Sequence, residues 1–102
     1  MSVIRGYFLS KEADVDLEEI FDYTQSHFNL DQAILYLSDF DDLFNQLVQN
    51  PELGKSRSEI KEGLRSIAKN SHIVFYRIDN ERIRIVRILH GRRDIPKFFE
   101  SH

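Results

Sequence analysis

The hydrophobic period changes at Asn50-Pro51, and that change limits the fold more than any other feature of the sequence. Before it, Ala13, Leu17, Ile20, Phe21, Thr24 and Phe28 recur at offsets of 4, 3, 1, 3 and 4. Such spacing puts them on one face of a helix. A second stripe follows at Ala33, Leu37, Phe40, Phe44 and Leu47, widened by Tyr36, Leu43 and Val48. Helix cannot run through Asn50, because a residue before proline is pushed out of the α region. After the break come three β-rich runs, Leu64 to Lys69, Ile73 to Ile78 and Ile83 to Leu89. Asn70-Ser71-His72 and Asp79-Asn80-Glu81 separate them, turn formers between short strands that signal a meander.

Local signals fill in the rest. Val3, Arg5, Tyr7 and Leu9 alternate with Ile4, Gly6 and Phe8, a short first strand. Ser10 offers an N-cap hydroxyl, and Glu12, Asp14 and Asp16 put negative charge where a helix dipole favours it. Asn29 is expected as a left-handed stop and Asp31 as the cap of the second helix. With only Asn29 and Leu30 between them, the helices form an antiparallel hairpin. Residues 51–62 are polar and read as a loop. The last run, nearly all Ile, Val and Leu, has the make-up of a central strand buried on both faces. The expected fold is α+β in two layers, ordered β-α-α-β-β-β. An antiparallel helical hairpin packs on a mostly antiparallel four-stranded sheet, in one domain spanning 1–102.

Charge divides the same way. Residues 1–52 carry two basic and eleven acidic side chains, against twelve and six in residues 53–102. One surface is therefore expected to be acidic and another basic, each suited to a different partner. There is no cysteine, so no disulfide framework or thiolate metal site is possible. No apolar run approaches the roughly 20 residues needed to span a bilayer. The N-terminus lacks a basic segment followed by an apolar one, so no signal peptide is expected and the chain reads as cytoplasmic.

No standard catalytic constellation is visible. His27, His72, His90 and His102 are far apart, without metal-ligand spacing, so neither a metal nor a cofactor is expected. There is no glycine-rich phosphate loop and no serine elbow. Adjacent acids such as Asp41-Asp42 point about 100° apart on a helix and form no acid/base pair. What remains is the arginine-rich second half. Arginine suits bidentate recognition of phosphate or carboxylate. Arg87, set in an apolar strand, must be paired, and the helix acids are its expected partners. Arg92 and Arg93, where the chain leaves the sheet, are better placed to meet something outside.

Several segments resemble ParE toxins of the ParE/RelE superfamily: LSKEADVDLEEIFDYTQSHF, QNPELGKS, EIKEGLRSIAKNSHIVFYRI and IRIVRILHGRRDIPKFF. The likeness runs from about Leu9 to Phe99, and its most specific parts are Gly63-Leu64-Arg65, Ile73 to Arg77, and Ile88 to Asp94. It implies a toxin of a type II toxin–antitoxin pair that inhibits DNA gyrase and blocks replication. A ParD-like antitoxin would hold it inactive, and operator DNA would be met only through that complex. For gyrase, the residues expected to act are Arg92, Arg93, Asp94, Ile95, Lys97, Phe98 and Phe99. For the antitoxin they are Val15 and Leu35, apolar positions off the helix stripes, with Arg65, Arg77 and Arg84 on the strands.

Two alternatives stay open from sequence. One is a RelE-like ribosome-dependent mRNA endonuclease, for which Lys55, Arg57, Arg65 and Arg92 supply charge and His90 a proton-transfer group. No tyrosine follows residue 76, and phenylalanine moves no proton. The other is a module that has lost toxicity and only binds antitoxin.

Overall fold

The structure, a computed structural model, describes residues 4–91. It contains β1 (Tyr7–Leu9), α1 (Lys11–His27), α2 (Leu30–Gln49), β2 (Lys55–Ser56), β3 (Arg65–Lys69), β4 (His72–Asp79) and β5 (Arg82–His90). The strands form one sheet in the order β1-β5-β4-β3-β2, antiparallel except where β1 runs parallel to β5. The expected α+β architecture is present with one strand more. Inside the supposed loop, Lys55 and Ser56 pair with Ser66 and Arg65, and a strand of two residues leaves too short an alternation to be read.

Ser10 caps α1 as expected, accepting from the Ala13 amide at 3.0 Å. The junction between the helices differs from expectation. Asn29 is extended, with φ −166°, and its side chain accepts from the Gln32 amide at 2.7 Å, so it caps α2 in place of Asp31. Asp31 lies inside the first turn, where its charge still meets the helix dipole. Phe28, expected in the buried stripe, closes α1 and stands 69% exposed. Left-handed asparagines do occur, at Asn70 and Asn80, the first positions of the two-residue turns β3–β4 and β4–β5.

The two helices cover one face of the sheet. Ala13, Phe40, Leu43, Phe44 and Leu47 meet Val74, Tyr76, Ile83, Ile85 and Ile88 there. The other face holds a smaller cluster of Leu64, Phe75 and Leu89. β5 is central, as its composition implied. Opposite Phe75 and Tyr76 lie Arg87 and Ile85, so Val86 is the extra residue of a β-bulge. Without it, Arg87 would share the parity of Ile83 and Ile85 and point into the core. With it, Ile88 takes the core side.

Candidate functional site

Where β1 stops, α1 takes over its work. β1 pairs with β5 only as far as Ile85. Beyond that, the Ser10 hydroxyl donates to the Val86 carbonyl at 2.8 Å, and the Ile88 amide donates to Asp16 at 2.9 Å. Arg87, turned from the core by the bulge, donates from Nε and Nη2 to the two oxygens of Asp16 at 2.8 and 2.9 Å. Hydrogen bonding to that carboxylate raises the Arg87 pKa, with burial opposing. The pairing expected from sequence is therefore present and bidentate.

At the other side of the sheet Tyr76 plays a similar part. Fully buried, it accepts from the Gly54 amide and donates to the Pro51 carbonyl, both at 2.8 Å, while Arg65 Nη1 donates to the Gly54 carbonyl at 2.8 Å. A Cβ on Gly54 would lie 2.7 Å from the Ser66 carbonyl and from the Tyr76 ring, so only glycine fits. Burial raises the Tyr76 pKa.

Two surfaces have the character of partner sites. The first is an apolar groove of about 420 Å³ at the β1 margin, lined among others by Tyr7, Leu9, Leu17, Ile34, Leu37 and Phe44. Ile34 and Leu37 are 52% and 40% exposed. Tyr7 packs edge-on against Phe44 and donates its hydroxyl to Asp41, and burial together with that bond pushes its pKa up to about 12. The second lies on the sheet face away from the helices. Arg77 and Arg84 are direct cross-strand partners, Phe8 pairs with Arg84, and the Arg82 guanidinium lies 4.3 Å from the centre of the Phe8 ring. Such a contact holds a guanidinium flat without neutralising it. Asp79 approaches Arg84 at 3.7 Å. Like charges placed directly across a sheet are destabilising, so the pair is a cost to the fold that suits a partner's anions.

Comparison with known proteins now decides the family. Residues 7–95 match the family model described as the ParE toxin of the type II toxin–antitoxin system parDE. The chain belongs to the ParE toxin family. Toxin ParE1 of Mycobacterium tuberculosis is 38% identical over 92 residues, covering 89% of this chain and 94% of that protein. Toxin ParE1 of Caulobacter vibrioides is 31% identical over 87 residues, covering 85% and 90%. A solved structure described as the chromosomal ParDE TA system from P. aeruginosa has the same fold. Its TM-score is 0.73 at 21% identity, over 87% of this chain and 98% of that one.

In this ParE-family chain the residues singled out from sequence do not fall on one surface. Arg77 and Arg84 come together on the outer sheet face. Arg65 does not join them, since it pairs with Tyr76 on the helix-facing side and is held by Gly54. Val15 and Leu35 are exposed, at 48% and 52%, and neither lines the groove. His90 faces His72, ring centres 5.4 Å apart, on the same face as Val74 and Ile88 and away from Arg77 and Arg84. Arg92, Arg93, Asp94, Ile95, Lys97, Phe98 and Phe99 lie outside the described residues. Sequence reading passed over Phe8, Arg82 and Ile34. The parity of Phe8 against Tyr7 and Leu9 was visible, but its arginine neighbours come from β5, which no local pattern aligns with β1.

Proposed function

We propose that this ParE-family chain acts on DNA gyrase by binding, without a bond-making step of its own, and that a ParD-like antitoxin neutralises it. The family match supports the toxin class. The observation that favours binding over RNA cleavage is the placement of the four tyrosines. Tyr76 is buried with its hydroxyl engaged twice, Tyr7 is tied to Asp41, and Tyr23 and Tyr36 sit on the helices. None of them lies on the outer sheet face beside Arg77 and Arg84. A nuclease there would need a proton-transfer group next to its cations and an aromatic to stack a base. The acidic helices would also oppose ribosomal RNA.

The deciding experiment assays the purified chain twice. Gyrase supercoiling and cleavage-complex formation are measured in one arm, and mRNA cleavage on translating ribosomes in the other. Inhibition in the first, relieved by the antitoxin, is the expected result. Activity confined to the second would replace this reading with the endonuclease one, and silence in both would leave a non-toxic antitoxin-binding module.

A further inference from the structure

The sheet face away from the helices carries a row that crosses three strands. Phe8 pairs with Arg84 and Arg84 with Arg77, and directly opposed residues share a face. In the next row Arg82 pairs with Asp79. The Phe8 ring serves two guanidiniums, that of Arg82 at 4.3 Å and that of Arg84 at 5.9 Å from its centre. A ring orients such a group and leaves its charge intact. Lys55 joins the same face, since it pairs with Ser66 and Ser66 with Phe75. Asp79 is the only acid in the described strands, and its approach to Arg84, 3.7 Å, exceeds hydrogen-bond length. Among the described residues neither Arg77 nor Arg82 forms an ion pair.

Arginine takes a phosphate bidentately through its planar fork. Arg82 and Arg84, two residues apart on one strand, are roughly 6.6 Å from each other along it, close to the separation of successive phosphates in a nucleic-acid strand. Protein partners draw most of their binding energy from apolar anchors. The largest apolar groups of this face are already covered, Phe75 fully and Leu64 and Leu89 nearly so. A polyanion needs no anchor, because its affinity comes from released counterions. We propose that the outer sheet face, through Arg77, Arg82 and Arg84, grips the phosphate backbone of duplex DNA without reading its sequence. The row lies on a five-stranded sheet, too broad for a groove that admits a helix or a two-stranded ribbon, so it meets phosphates and not base edges.

The acidic helices do not oppose this contact. They cover the other side of the sheet, so they repel a polyanion that surrounds the molecule, as ribosomal RNA would, but not a duplex lying on the outer face alone. The inference rests on the gyrase reading only for which DNA this is, namely the segment the enzyme holds, so that the toxin touches enzyme and DNA together. The face itself stands on its arginines. An antitoxin reaching Arg77 and Arg84 would exclude DNA from them.

The test titrates labelled DNA duplexes of two unrelated sequences, and an RNA duplex of equal length, with the full chain at rising salt. Fluorescence anisotropy reads affinity. Expected is equal affinity for the two DNAs, falling about 40-fold between 50 and 200 mM salt, as three phosphate contacts imply. The triple variant Arg77→Ser, Arg82→Ser, Arg84→Ser should lose that salt dependence, whereas lysine at the same three positions should keep it. Hydrogen exchange of the β5 core amides shows that both variants are folded. Binding by the serine variant equal to the parent's, preference for one DNA sequence, tighter binding of the RNA, or no binding at low salt would overturn the proposal. If the chain inhibits gyrase yet binds no DNA, this proposal fails and the gyrase reading stands. If it binds DNA through these arginines and leaves gyrase untouched, the reverse holds.

Discussion

Asp16 holds Arg87 by two hydrogen bonds and the Ile88 amide by a third, so one carboxylate joins α1 to β5 across 71 positions of sequence. Replacing Asp16 with alanine removes all three. The expected destabilisation is about 2–4 kcal/mol, since a largely buried charge pair is broken from one side. Asp16→Asn keeps an acceptor for Ile88 and is expected to cost about half as much. Urea unfolding midpoints at constant slope check this, and equal losses for the two variants would show that the charge contributes nothing.

Tyr7 carries a pH signature. Its ordinary pKa is 10.0, and the fold raises it to about 12 because burial and Asp41 both favour the neutral phenol. The contribution is complete below pH 10, where both states keep the proton. It is lost between 10 and 12, as the unfolded chain ionises first. Tyr7→Phe should therefore flatten the fall of stability over that window. Parallel curves for the two proteins would mean the phenol is not held neutral.

The Tyr76–Gly54 lock is tested by two substitutions. Gly54→Ala puts a methyl against main chain and ring, with an expected loss of about 1–3 kcal/mol. Tyr76→Phe leaves the Gly54 amide and Pro51 carbonyl without the hydroxyl, at a similar cost. Differential scanning calorimetry reads both. Their combination should lose less than the sum, because the two share one contact.

Arg77 faces Arg84 directly, so stability and binding should part company there. Arg77→Ser is expected to hold or raise stability by about 0.2–0.5 kcal/mol. The same change should weaken antitoxin binding and reduce its salt dependence. A stability loss above about 1 kcal/mol would show that Arg77 serves the fold instead.

Removing residues 92–102 should abolish gyrase inhibition and leave a protein that still binds antitoxin. Circular dichroism and antitoxin pull-down establish the second half. A truncated chain that still poisons gyrase would move the toxic surface back into residues 1–91.

The layers of this fold were legible because hydrophobic period reports local geometry. The stripe from Ala33 to Leu47 and the runs ending at Leu89 needed no partner to be recognised. What could not be read depends on pairing across long separations. The two-residue β2 exists because Lys55 and Ser56 lie beside β3. Asn29 has an extended conformation, not the left-handed one, because its side chain finds the Gln32 amide. The site residues divide the same way. Arg87 could be matched to a helix acid from burial alone, whereas the Phe8–Arg82–Arg84 cluster required knowing that the first strand lies beside the last.

That last pairing also bears on how the protein is made. A ribosome releases β5 only after both helices and every other strand, yet β5 is the strand on which β1, β4 and α1 all close. Until about residue 90 has emerged, Asp16 and the Ser10 hydroxyl lack their β5 partners and the helix stripes have no central strand beneath them. The core described by residues 4–91 therefore closes late, in the step that adds β5.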